Sequence, residues 1–341
     1  MWYENEGKNK ETVLSTKVII NRNIKGFPFP PKMSDADREN VFGMVRQAAG
    51  TLGLNFVRTD ELDDTAKADL FNQFYSGYSF LNAKDSKTGF LLSKTEGLGV
   101  IINSTDHISI VSMVPGTDIA TAYKRADDLA VKFEQTMDIA YTDKFGFLTS
   151  QIKSVGTGMQ ILMTLALPGI EKTEGAVQVL SRRAEKYDWQ LIPMTHSDGL
   201  RESGIYVLAN LATLGVTEEE ILEGAQKIQT DIIKLENTCR KNIWTKKKIL
   251  IEDQYYRAYA TLRYCRRIEV AEALTLVNWL RLGQDYVDTS DADVDWNRIN
   301  KLTQRVRRNY QDAGSKITRP KDKSTVRAKM IRDIMKGGQE S

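Results

Sequence analysis

The chain has 341 residues, 41% of them hydrophobic and 27% charged, with only 7 prolines. That is the composition of an ordinary globular protein and not of a disordered or fibrous one, and the length predicts one large domain with a smaller appendage. The strongly apolar runs, such as residues 161–168, fall far short of the roughly 20 residues that span a bilayer. The first ten residues, MWYENEGKNK, lack the apolar core of a secretory signal, so a cytoplasmic protein without membrane contact is expected.

Two cysteines, Cys239 and Cys265, in a chain of this size read as buried thiols and not as a disulfide framework. With His107 and His196 they form no cluster at zinc-ligand spacing, so a carboxylate-bound or substrate-bound magnesium is the only metal the sequence allows. The net charge of +3 is uneven. Residues 298–336 hold 13 Lys/Arg against 3 Asp/Glu, which gives +10 there and −7 elsewhere. Such a segment is either a solvated helical face or a site for acidic or phosphorylated partners.

In chain order, Ser34-Asp-Ala-Asp-Arg predicts a capped helix with Val41, Met44, Val45 and Ala48 facing a sheet. The runs LGVIIN and HISIVSM between Leu98 and Met113 flank Ser104-Thr105-Asp106 and predict an antiparallel hairpin. A helix from about Asp118 to Phe133 follows, with Ile119, Ala122, Ala126, Leu129 and Phe133 on one stripe. GMQILMTLALP and GIYVLANLATLG read as buried strands of the same sheet. Thr217-Glu-Glu-Glu is a capping box for a long helix with Ile221, Ala225, Ile228, Ile232 and Leu235 on one face.

Lys246-Lys-Lys marks a candidate boundary, dividing residues 1–245 from 246–341. Helical spacing then dominates, through Tyr256, Tyr259, Leu262 and Arg266 and through Ala273, Leu276, Val277 and Leu280. Asp285 to Asp295 and Gly314 to Asp322 read as breaks, and no repeat of solenoid period is present.

Four segments in the right order resemble the bacterial protein-arginine kinase branch of the ATP:guanidino phosphotransferases. They are Val13-Leu-Ser-Thr-Lys-Val-Ile-Ile-Asn-Arg-Asn with Gly26-Phe-Pro-Phe-Pro, Asn103-Ser-Thr-Asp-His-Ile-Ser, Gly146-Phe-Leu-Thr-Ser with Val155-Gly-Thr-Gly, and Ile251-Glu-Asp-Gln-Tyr-Tyr-Arg-Ala-Tyr. The resemblance implies an α+β fold: a catalytic domain with a mainly antiparallel sheet flanked by helices, then a small all-helical C-terminal domain that dimerises and binds phosphoarginine. It also implies ATP with Mg2+ as cofactor if nucleotide binding is retained. Its partners would be a second copy, a zinc-binding activator protein, the Clp protease machinery and an acidic or arginine-phosphorylated client.

The family's charged positions are where the chain departs. Phosphoryl transfer there is mostly positioning and charge neutralisation by arginines and magnesium. The Ser-x-Arg-x-Arg motif becomes Ser15, Lys17 and Ile19, and Arg22 matches a later family arginine. In the hairpin Ser104, Thr105 and Ser109 stand where the family has two carboxylates and an arginine; Thr105 takes the place of the base, while Asp106 and His107 survive. Gln151 stands for a reactive cysteine and Gln160 for another arginine, and the last arginine and glutamate align loosely with Ile192 and His196-Ser197.

The resemblance leaves Ser15, Lys17, Arg22, His107, Gly156, Thr157 and Gly158 as nucleotide-binding candidates, each with a structural reading beside it. The phosphoarginine motif retains Arg319, Lys323, Arg327 and Arg332, with Ser324 at an aspartate position, and Arg257, Arg263, Arg266 and Arg267 either add to it or face water. The expected function is a catalytically degenerate binding or regulatory homologue, a pseudokinase; the alternative is an active, divergent kinase. Nucleic-acid binding is the third reading, and with only Trp296 and Tyr310 in the basic region it lacks stacking platforms.

Overall fold

The computed structural model describes residues 2–63, 66, 70, 88–95, 97–195, 201–307 and 320–337. Its centre is an eight-stranded sheet in the order β2-β3-β4-β5-β1-β8-β10-β9, with every described pairing antiparallel. The strands are β1 (Val13–Arg22), β2 (Asn55–Arg58), β3 (Gly89–Leu92), β4 (Leu98–Ile102), β5 (Ile108–Pro115), β8 (Met159–Ala166), β9 (Trp189–Thr195) and β10 (Arg201–Asn210). A separate ribbon pairs β6 (Tyr141–Thr142) with β7 (Gly146–Phe147).

Alternation along the strands gives the sheet two different faces. Val18 and Ile20 of β1, Ile108 and Ile110 of β5, and Ile161 and Met163 of β8 are all buried in one core. Covering that face are α1 (Asp35–Leu52), α2 (Ile119–Thr136), α4 (Ala176–Glu185) and the first half of α5 (Glu218–Tyr264). Both expected helix starts are present as capping interactions: Ser34 and Asp37 form a reciprocal capping box at α1, as do Thr217 and Glu220 at α5. Met44, expected on the inner stripe of α1, faces outward at 37% exposure; Val41 and Val45 carry that packing.

Helix α5 runs for 47 residues and joins both halves of the molecule. The Lys246-Lys-Lys run expected as a boundary lies inside this helix, where Lys247 has φ −138° and ψ 38°, so the junction is a kink and not a linker. Beyond it α5 packs with α6 (Val270–Gly283), α7 (Trp296–Arg307) and α8 (Pro320–Met335) around a second core that includes Tyr255, Leu262, Val277, Leu302 and Ile331. The break expected over Gly314 to Asp322 is corrected at its end, because Pro320 already opens α8; its earlier part lies outside the described residues. Cys239 is buried and Cys265 half-buried, and both are free thiols.

Candidate functional site

The sheet face turned away from α1 and α2 is the candidate site. Registers place its central side chains in rungs across β8, β1 and β5: Thr164–Ser15–Pro115, Leu162–Lys17–Met113 and Gln160–Ile19–Val111, with Asn21 opposite Ser109. Among these side chains Lys17 carries the only charge. The residue as a whole is half-buried, and loss of hydration at its ammonium lowers its pKa from 10.5 to about 8. Gln160 donates to Ser154 Oγ (3.0 Å), and Ser109 donates to Asn21 Oδ1 (2.8 Å), so these polar groups are spent within the fold.

Arg22 lies at the far end of β1 and is only 2% exposed. Its Nε donates to Glu134 Oε1 (2.6 Å), its Nη1 donates to the Asn21 and Thr157 carbonyls (3.0 Å each), and its guanidinium sits 3.4 Å from the Phe147 ring centroid. Burial pushes its pKa down while Glu134 opposes the shift. These contacts fasten β1 to α2 and β7.

His107 is likewise held by the backbone, in keeping with its structural reading. Its Nδ1 accepts from Ile24 N–H (3.0 Å), which places the ring proton on Nε2, 2.9 Å from the Pro28 carbonyl. Burial lowers its pKa and keeps it neutral. Beside it, Asp106 Oδ1 accepts from Asn23 Nδ2 and Ser150 N–H (2.7 Å each), and the Thr105 carbonyl accepts from Ser150 Oγ (2.6 Å). The hairpin tip is thus stitched to residues 148–150. Gln151, at the cysteine position, is exposed.

Gly156-Thr157-Gly158 does not form an open anion cradle. Gly156 N–H donates to the Phe147 carbonyl (3.1 Å) and Thr157 N–H to the Thr213 carbonyl (3.0 Å). Gly156 has φ +114°, and a Cβ there would stand 2.0 Å from the Thr213 carbonyl oxygen; one on Gly158 would stand 2.6 Å from that of Asn21. Both glycines are required by close backbone approach.

In the helical half, Lys323, Arg327 and Arg332 share α8, while Arg319 lies outside the described residues. Arg327 is 7% exposed and donates to the Ile268 carbonyl (2.7 Å), with Glu269 at 3.6 Å. Arg332 donates to the Cys265 carbonyl, Arg263 to that of Met335 (2.9 Å), and Arg267 to Ser324 Oγ (3.3 Å). These arginines clamp α8 onto the α5–α6 corner, and Lys323 is half-buried beside them. Arg257 is held by Asp253 on its own helix, away from this clamp.

The tethers missed in the sequence are Glu134, Asn23 and Ser150, which hold Arg22 and the hairpin. The pairing of Arg22 with Glu134 spans 112 residues and leaves no local spacing to find it by. Asn23 sits next to Arg22, and a polar run at a strand end was the available signal.

Residues 38–239 match the family model of the ATP:guanido phosphotransferase C-terminal catalytic domain, and residues 248–341 match that of the protein-arginine kinase McsB C-terminal domain. The chain belongs to the ATP:guanido phosphotransferase family. Among curated relatives it is similar to the protein-arginine kinase of Pelotomaculum thermopropionicum, at 28% identity over 97% of this chain and 94% of that protein. Similar too are the protein-arginine kinases of Geobacillus stearothermophilus (28% identity, 98% and 93%) and Clostridium acetobutylicum (26%, 98% and 99%). Among solved structures the fold is shared with lombricine kinase, with a TM-score of 0.58 at 16% identity over 71% of this chain and 70% of that one. It is shared as well with the duplicated taurocyamine kinase of Schistosoma mansoni, with a TM-score of 0.58 at 22% identity over 66% and 33%.

Proposed function

We propose that this chain is a catalytically degenerate member of its family, a pseudokinase that keeps the fold and acts as a binding or regulatory protein in Clp-linked protein quality control. The observation that carries this reading is the central sheet face, where Lys17 is the only charge on the rungs from Thr164–Ser15–Pro115 to Asn21–Ser109, while Arg22 at the end of β1 is buried against Glu134. A triphosphate's oxygens need several bidentate donors, and one ammonium of lowered pKa does not reproduce a guanidinium fork. Ile19 and Leu162 beside it give the phosphates nothing. This face does not fit the phosphate chain of magnesium ATP. A single catalytic arginine can be worth about 10³ to 10⁵ in phosphoryl-transfer rate.

The relatives are named protein-arginine kinases. The partners proposed from the family are a second copy, a zinc-binding activator, the Clp machinery and an arginine-phosphorylated client, with Lys323, half-buried on α8, left as the cation for a phosphate once Arg327 and Arg332 are spent on backbone carbonyls. The alternative, an active divergent kinase, draws on Lys17, which keeps one cation on the face. Incubation with magnesium ATP and an arginine-rich protein, read by mass spectrometry that avoids acid, separates the two. No phosphoarginine above background beside a working protein-arginine kinase is expected; modification that vanishes in Lys17→Ala would establish the active reading.

A further inference from the structure

Two adjoining hollows of about 290 and 400 Å³ run along the outer side of the first turns of α5, sharing Tyr187, Glu223 and Lys227. From Glu220 to Asp231 the groove follows about 16 Å of helix, the reach of roughly five extended residues. Its carboxylates are Asp188, Glu220, Glu223 and Asp231, against the single amine of Lys227. Glu220 is committed to the capping box and Glu223 to Lys227 (3.2 Å), whereas Asp188 and Asp231 make no ion pair among the described residues.

A second feature lies at the floor. Trp189 is 1% exposed, lines the upper hollow, and its indole N–H has no acceptor among the described residues. That nitrogen points at α5 where the helix carries Gly224: a Cβ there would stand 3.1 Å from Nε1. The glycine leaves open the space in front of the only polar atom of a buried ring. A donor without a protein acceptor at the wall of a hollow is satisfied by whatever enters it.

We infer that this groove binds a basic, extended protein segment, a backbone carbonyl of which accepts from Trp189 Nε1–H while its arginine or lysine side chains meet Asp188, Glu223 and Asp231. Tyr187, 38% exposed at the junction of the hollows, offers a ring face to a guanidinium. The groove lies on the helix-covered side of the sheet, away from Lys17, and the inference does not depend on whether the sheet face turns over ATP.

The test is fluorescence anisotropy with the full chain and a labelled eight-residue peptide alternating arginine and glycine, beside a glutamine–glycine control. Binding of the arginine peptide alone is expected. The double charge reversal Glu223→Lys with Asp231→Lys, both near the surface and compatible with folding, is expected to weaken it at least tenfold. The Trp189 indole proton, assigned in a ¹H–¹⁵N spectrum through Trp189→Phe, is expected to shift on titration. No binding to the arginine peptide, equal binding of the neutral one, or undiminished affinity in the double reversal would each overturn the inference.

Discussion

Lys17 is the residue on which the proposed loss of chemistry turns, and its titration makes a specific prediction. Its pKa falls from 10.5 unfolded to about 8 folded because burial disfavours the ammonium. The folded state therefore carries a penalty below pH 8 that is relieved as pH rises from 8 toward 10.5. Lys17→Met should stabilise the protein by about 1 kcal/mol at pH 7, with the gain gone by pH 10. Urea unfolding at the two pH values measures it, and an equal effect at both would show that the ammonium carries no such penalty. At this scale the sequence was legible where partners are close in the chain. Ser34 and Thr217 cap as their spacing predicts, whereas Arg22 and His107 entered as candidates through the resemblance, and Glu134 and Pro28, which hold them, lie 112 and 79 positions away.

At the scale of elements, the motif Gly156-Thr157-Gly158 shows how one pattern serves two ends. Its φ values and its near contacts with residues 21 and 213 make it a strand-crossing device. Gly156→Ala should cost about 2–4 kcal/mol, since Cβ meets a backbone oxygen that cannot rotate away and φ is positive. Differential scanning calorimetry would detect this as a lowered midpoint; an unchanged midpoint would mean that the loop yields. The helices, the hairpin and the two apolar strands were legible because their periodicities are local. The continuity of α5 was not, because a run of three lysines reads as a boundary, while Ile243 and Ile251 on either side of the kink at Lys247 pack into the same second core.

At the scale of the whole molecule, the sheet half and the helical half meet through buried charge. Glu236 accepts from Gly169 and Ile170 N–H (2.8 Å each), capping the short helix α3 (Pro168–Glu171). Arg240 on the same helix reaches the Arg281 carbonyl (2.7 Å) and Asp285 (2.9 Å). Arg281 donates to the Glu11 carbonyl, Asn300 and Thr303, and Trp296 lies within 5.1 Å of Arg240 and 5.5 Å of Arg281. Full burial raises the Glu236 pKa to about 7 against these favourable partners. The folded value exceeds the unfolded one near 4.5, so the contribution is present below pH 4.5 and is lost as pH rises through 7. The thermal midpoint should fall between pH 5 and pH 8, by on the order of 2 kcal/mol of stability, and Glu236→Gln should flatten that slope. A slope unchanged in the variant would place the titration elsewhere. None of this junction was visible in the sequence, since a Glu, two Arg and a Trp scattered over 60 positions share no motif.

Calorimetric titration of the full chain with magnesium ATP at pH 7 measures whether the face built on β1, β5 and β8 grips a triphosphate. No saturable heat is expected up to millimolar nucleotide, and none gained or lost in Lys17→Ala. Micromolar binding that disappears in Lys17→Ala would contradict it and restore the face as a nucleotide site.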